Sequence, residues 1–86
     1  DDRRDPEAEA LARQRQGQLE RMLNELDLEH RAVFVMFEIE EIPCAEIAEM
    51  VGIPVGTVYS RLHNARKTLA AIAARFRERE RKEGHG

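Results

Sequence analysis

The chain carries a dense run of hydrogen-bonding side chains between residues 57 and 67, whose types suit contact with bases and phosphates. The run combines hydroxyl, imidazole, amide, guanidinium and ammonium groups, contributed by Thr57, Tyr59, Ser60, Arg61, His63, Asn64, Arg66 and Lys67. Arginine can donate two hydrogen bonds to guanine, asparagine can pair with adenine, and threonine can contact a thymine methyl group. Hydroxyls and lysine suit phosphate, and the small Gly56 permits a close backbone approach.

A long amphipathic helix is predicted to carry these side chains. Apolar residues repeat at alternating spacings of three and four, at Val55, Val58, Leu62, Ala65, Leu69, Ile72 and Phe76. This spacing is typical of a helix with one buried face, and it predicts that the polar run points outward. The helix is predicted to open at Pro54 and to fray beyond Phe76, where charged residues dominate.

A short helix and a tight turn precede the long helix. The short helix is predicted from Cys44 to Val51, with its inward face made by Ile47, Ala48 and Val51. Gly52 should end it, because the residue after the last turn commonly adopts a positive φ. Gly52, Ile53 and Pro54 then form the turn, with Ile53 as its apolar anchor. Two helices joined in this way indicate a helix-turn-helix.

Two further helices are predicted upstream. The first runs from Pro6 to about Leu26 after an Asp5 N-cap, although Gly17 weakens its middle. Its apolar positions are Ala8, Leu11, Leu19, Met22, Leu23 and Leu26. The second runs from Leu28 to Ile39 after an Asp27 N-cap, and residues 32–37 are apolar nearly all round, so it should be the most buried. The expected fold is all-α, a four-helix domain with a C-terminal helix-turn-helix and a long recognition helix.

Composition and charge narrow the classes of function. The chain has 86 residues, enough for one domain with a modest core, and its net charge is −3. Residues 1–56 hold 6 Lys/Arg and 14 Asp/Glu, a net of −8, whereas residues 57–86 hold 8 Lys/Arg and 3 Asp/Glu, a net of +5. A basic C-terminal third on an acidic body gives a directional field that can orient one face toward phosphates.

No residue pattern indicates catalysis. The sequence has no nucleophile beside a base, no paired-carboxylate pocket, no phosphate loop and no metal-ligand spacing, so an enzyme, a cofactor and a metal are not expected. The single Cys44 reads as a small, partly buried residue at a helix start. No apolar run is long enough for a membrane span and no signal peptide is apparent, which favours a cytoplasmic protein.

The residues quoted above lie within a longer pattern that resembles region 4 of the bacterial sigma-70 family, and most closely its extracytoplasmic-function (ECF) group. The resemblance is carried by LDLEHRAVF at 26–34, EIA at 46–48, GIPVGTV at 52–58 and SRLHNARKTL at 60–69. It extends over about residues 19–72. A string of this length is more specific than a generic helix-turn-helix match.

The resemblance implies a function and a set of partners. Region 4 of such factors reads double-stranded promoter DNA at the −35 element with the helix that matches residues 54–69. It also docks on the flap of the RNA polymerase β subunit, and an anti-sigma factor covers these surfaces in many ECF factors. Nothing in the chain resembles region 2, so it should be the C-terminal half of a factor. Residues 1–16 would be interdomain linker or a partly ordered helix start, 17–76 the region 4 domain, and 77–86 a charged tail.

The chain departs from the family pattern at three positions. Position 59 is often basic in relatives and is Tyr here, and position 64 is often Arg and is Asn here. Position 37, near the end of the second helix, is commonly Arg and is Phe here. Two of these changes lie on the predicted reading face, so the base preference of relatives is a poor guide, while the same docking mode is expected.

Two other functions compete with this interpretation. One is the DNA-binding output domain of another helix-turn-helix regulator, which would usually bind paired half-sites as a dimer. The other is a protein-interaction module whose basic helix binds an acidic, anti-sigma-like partner. An outward helix face is often polar only because it is solvated, so the charged face alone does not decide between them.

Overall fold

The computed structural model describes residues 5–83. Helix α1 spans Pro6–Asn24, α2 spans Leu28–Phe34 and continues as a π-helical segment over Val35–Ile39, α3 spans Cys44–Val51 and α4 spans Val55–Glu83. No strand occurs between residues 5 and 83. The predicted all-α, four-helix architecture is therefore confirmed, and α4 begins one residue later than expected.

Aspartates begin the first two helices, as predicted. The Asp5 carboxylate accepts a hydrogen bond from the Glu7 backbone N–H at 3.0 Å, and Asp27 accepts one from the His30 N–H at 3.0 Å. These bonds satisfy donors that the first helical turn leaves free. The backbone hydrogen bond from His30, followed by the side-chain contact with its ring, lowers the pKa of Asp27 below its ordinary value.

The π-helical segment that continues α2 ends in a turn that is wider than an α-helical turn. The Glu40 N–H donates to the Val35 carbonyl at 3.0 Å, a π-type bond across five residues. The Ile42 N–H then donates to the Met36 carbonyl at 2.9 Å, which requires the residue before Ile42 to take a left-handed conformation. That residue is Glu41, with a φ of 59°. A side chain at this φ is strained because its Cβ crowds the following carbonyl oxygen.

Replacing this strained residue is expected to stabilise the domain. Relief of a left-handed non-glycine residue is worth about 1–2 kcal/mol, and the extra flexibility of glycine in the unfolded chain costs about 0.5–1 kcal/mol. Glu41→Gly should therefore raise the free energy of unfolding by about 0.5–1 kcal/mol, measured by chemical denaturation. The matched control is Glu40→Gly, because Glu40 has a φ of −91° and its replacement should destabilise. Destabilisation by both changes would contradict the assignment of strain.

The core consists of two clusters joined along α4. One cluster packs the end of α1 and the turn after it against the middle of α4, with Leu23 and Leu26 on Ala65, Leu69 and Ile72. The other lies beneath the helix-turn-helix and contains Val33, Ile47, Ala48, Val58 and Leu62. Five positions of the predicted α4 seam are buried, which confirms the seam from Val58 to Ile72.

Several burial predictions are wrong. The second helix is the exception: residues 30–37 are all buried or half-buried, as predicted, although Val33 is the one fully buried residue among them. Val51 and Val55 are 41% and 39% exposed, since both lie next to the turn, where α3 and α4 diverge. Three α1 residues predicted in its apolar stripe are also exposed, because this part of α1 lacks a buried cluster to pack against: Ala8, Leu11 and Leu19.

Helix α4 does not fray after Phe76 within the described residues. It continues to Glu83, while the remaining predicted tail, 84–86, lies outside the described residues. Residues 77–83 are all Arg, Glu or Lys, which are good helix formers. The Gln18 amide also donates to the Glu80 carboxylate at 2.7 Å and ties this end of α4 to α1. Helix α1 likewise runs without a break through Gly17, although residues 1–4 of the predicted linker lie outside the described part.

Candidate nucleic-acid interface

The turn that orients α4 has the predicted geometry. Gly52 adopts a φ of 80° and a ψ of 37°, and its N–H donates to the Ala48 carbonyl at 2.8 Å. The Ile53 N–H donates to the same carbonyl at 3.1 Å, and the Ile53 side chain packs on the helix-turn-helix cluster. The Pro54 carbonyl then accepts from the Thr57 N–H at 2.9 Å and starts α4. The direction in which α4 leaves α3 is thus fixed by backbone bonds and an apolar contact.

The predicted site residues divide into an outward group and a flanking group. A helix turns by about 100° per residue, so positions two, five, six and nine after the buried Val58 lie roughly opposite the core. These positions are Ser60, His63, Asn64 and Lys67, and all four are exposed. Tyr59 lies beside them and is 58% exposed. We call these five residues the outward face of α4.

Three predicted site residues lie on the flanks of the helix. Thr57 is half-buried near the turn. The Arg61 side chain is only 22% exposed, with Nη2 3.8 Å from the Glu29 carboxylate on α2. Arg66 is half-exposed, and its Nε and Nη2 atoms donate to Oε2 of Glu38 at 3.2 and 2.7 Å. The structure therefore does not bring all eight predicted residues onto one free surface.

Two carboxylates of this site were not predicted from the sequence. Glu29 and Glu38 come from opposite ends of the α2–π segment and lie against the two flanks of α4. The guanidinium of Arg66 also lies over the Phe37 ring, 5.6 Å from its centroid. The sequence places Glu38 in an acidic helix end, but its pairing across 28 residues depends on how α2 crosses α4. The one sequence feature that pointed to this end of the second helix was Phe37, at a position that is commonly Arg in the family.

Gly56 leaves open space on the surface of α4. A methyl group added at this position would meet no neighbouring heavy atom within 4 Å, and the residue is exposed. The fold therefore does not need glycine at this position for packing. A small residue in the first turn of a helix leaves the backbone N–H groups accessible to an anion.

No cluster of three or more His, Cys, Asp or Glu side chains that could hold a metal ion occurs among residues 5–83. Cys44 is a free, half-buried thiol at the start of α3, as predicted. Within the same residues, no helix combines the length and the apolar character needed to cross a membrane.

The sequence is similar to those of known proteins. The chain matches the model of the family described as Sigma-70, region 4, over residues 16–69. It is also similar to the ECF RNA polymerase sigma factor SigW of Bacillus subtilis (strain 168), with 33% identity over 64 residues. That match includes 74% of this chain and 34% of the relative, so the chain spans about a third of the relative's length. The chain therefore belongs to the sigma-70 region 4 family, whose domains are DNA-binding and regulatory rather than enzymatic, as the sequence predicts.

Proposed function

We propose that this domain reads the −35 element of a promoter as a monomer, with the outward face of α4 in the major groove. The observation that carries the proposal is the position of Ser60, His63, Asn64 and Lys67 opposite the buried seam, with the exposed Tyr59 beside them. Their side chains can donate to or accept from base edges and phosphates. No acid interrupts the sequence between residues 54 and 74, so no carboxylate of α4 opposes DNA along this stretch.

A selection from random duplexes tests the proposal. The domain would be incubated at low salt with a randomised pool of short duplexes, and the bound fraction sequenced. Enrichment of one short, non-palindromic motif is the expected result, because one α4 helix contacts one site. Enrichment of a palindrome would favour a dimeric regulator of another class. Absence of enrichment would favour a domain that acts through a protein partner.

A substitution at Gly56 is expected to weaken DNA binding without destabilising the fold. Gly56→Ala should leave the fold intact or stabilise it by up to about 1 kcal/mol, because alanine favours helices. We expect it to weaken binding to every duplex by about tenfold or more, since a hydrogen bond to a charged group is worth about 1.5–3 kcal/mol. The assays are thermal denaturation and fluorescence anisotropy.

The matched control for this prediction is the other glycine that lies within a helix of the described residues. Gly17 in α1 also has open space around its Cα, with no heavy atom within 4 Å of an added methyl group. Gly17→Ala should stabilise α1 similarly and leave DNA binding unchanged. Equal effects of both changes on DNA binding would argue against a phosphate at the start of α4.

We also propose that the domain docks on RNA polymerase through apolar surface that the fold leaves uncovered. Its accessible surface is 6512 Å², against about 5,200 Å² for a compact protein of this mass, and exposed apolar side chains contribute to the excess alongside the charged end of α4. Its radius of gyration is 16.3 Å, against about 12 Å for a compact chain of this length. Leu28 and Ile39, at the two ends of the α2–π segment, are 70% and 50% exposed.

Calorimetry with an isolated β flap of RNA polymerase tests this docking. Burial of apolar surface predicts a negative heat-capacity change on binding. Absence of binding at micromolar concentrations would remove the flap as a partner of this domain. An anti-sigma factor that covers the same apolar surface would compete with the flap in the same assay.

A further inference from the structure

The two arginines of the α4 site are each faced by a carboxylate from the α2–π segment. Arg66 makes two hydrogen bonds to the same oxygen of Glu38, at 3.2 and 2.7 Å. Arg61 lies 3.8 Å from Glu29, a distance at which attraction persists without a hydrogen bond. Only Lys67, among the three cations between residues 57 and 67, has no ion pair to a described residue.

We propose that Glu38 is an intramolecular competitor of the DNA phosphates for Arg66, and that it lowers the affinity of this domain for all duplexes alike. The inference rests on the proposed function of α4. In the free domain the carboxylate takes the place of a phosphate oxygen on the guanidinium. On DNA, Arg66 exchanges this carboxylate for a phosphate.

The geometry of the pair favours competition over positioning. Arginine has five N–H donors, and Glu38 accepts from Nε and Nη2 on one of the two edges that can make two-pronged contacts with anions. The ring of Phe37 lies against the guanidinium, so the side chain is drawn toward the α2–π segment. A phosphate on the remaining donors would lie close to the carboxylate, and the two negative charges would repel each other.

The exposure of the pair allows the exchange. The Arg66 and Glu38 side chains are 51% and 39% exposed, and ion pairs in contact with water are weak. The opposite flank differs, because Arg61 is 22% exposed and is held between α4 and α2. Arg66 is therefore the cation that can turn toward DNA, and Glu38 is the acid that opposes this movement.

Glu38→Gln tests the proposal because it removes the charge and keeps the shape of the side chain. The matched control is Glu40→Gln, two residues away, which changes the net charge equally at an exposed acid that makes no ion pair within residues 5–83. Binding of each variant to a random-sequence duplex would be measured by fluorescence anisotropy at several salt concentrations. Each chain would first be shown to unfold at the same temperature as the unaltered domain.

The expected result is a change in both affinity and salt dependence. E38Q should bind about three- to tenfold tighter, with a salt slope steeper by about 0.9, the value for one additional phosphate contact. E40Q should bind less than about twofold tighter with an unchanged slope, as screening of a distant exposed charge predicts. In an Arg66→Ala background, E38Q should have no more effect than E40Q.

Three outcomes would overturn the proposal. Equal effects of E38Q and E40Q on affinity and salt slope would show that Glu38 acts only through the net charge of the domain. Weaker binding by E38Q would show that the carboxylate positions Arg66 for DNA. In both cases the unaltered domain still binds duplex DNA, and the proposed function stands. Failure of the unaltered domain to bind any duplex at low salt would overturn the proposed function together with this inference.

Discussion

Ile47→Ala is expected to lower the free energy of unfolding by about 2–5 kcal/mol, the usual cost of truncating a buried isoleucine. Ile47 is fully buried in the cluster that joins α3 to α2 and α4. A domain of this size has a total stability of about 4–13 kcal/mol, so the loss is a large fraction of it. Because this cluster positions α4 relative to α3, DNA binding should fall with the folded fraction.

Chemical denaturation followed by circular dichroism measures this effect. Met50→Ala is the matched control, since Met50 lies on the same short helix and is 60% exposed. Its replacement should cost less than about 1 kcal/mol, as is usual for surface positions. Similar losses for the two variants would show that the helix-turn-helix cluster does not hold α3 in place.

Asn64→Ala is expected to weaken binding to the selected duplex by about 1–3 kcal/mol, or roughly five- to 150-fold. Asn64 is exposed, lies six residues after Val58, and makes no side-chain hydrogen bond to another described residue. Its amide is therefore free to pair with a base edge. The variant should also lose preference at one base pair, while its binding to unrelated duplexes should stay nearly the same.

Two neighbouring residues provide the comparison for Asn64. Lys67→Ala should weaken binding to all duplexes alike and reduce the salt slope by about 0.9, because a lysine contact to phosphate carries no sequence information. Thr68→Ala should leave binding unchanged, since Thr68 lies on the flank of α4 near His30. An unchanged base preference in Asn64→Ala would remove Asn64 from the reading residues.

Local chemistry made much of this fold predictable. The two aspartate caps, the positive φ of Gly52 and the seam from Val58 to Ile72 each depend on residues within a few positions of one another. Capping and helical periodicity are local rules, so a single sequence is enough to apply them. For the same reason, the outward face of α4 could be predicted as the residues that remain once the positions of the buried seam are set aside.

Features that depend on how the helices cross could not be obtained in this way. The pairing of Arg66 with Glu38 joins residues 28 positions apart, and the apolar pattern of α2 gives no angle relative to α4. The left-handed Glu41 was missed because a residue with this φ is normally glycine, and the π-helical end that requires it leaves no clear sequence pattern. Exposure of Val55 follows from the sharpness of the turn rather than from helical periodicity.

Nuclear magnetic resonance can show whether the outward face of α4 is the DNA interface. The labelled domain would be titrated with the selected duplex and with an unrelated duplex, and amide and side-chain shifts would be followed. We predict the largest changes at residues 56–67, with the Asn64 side-chain amide shifting only on the selected duplex. Shifts concentrated on α1 or on the exposed end of α2, with α4 unchanged, would contradict this prediction.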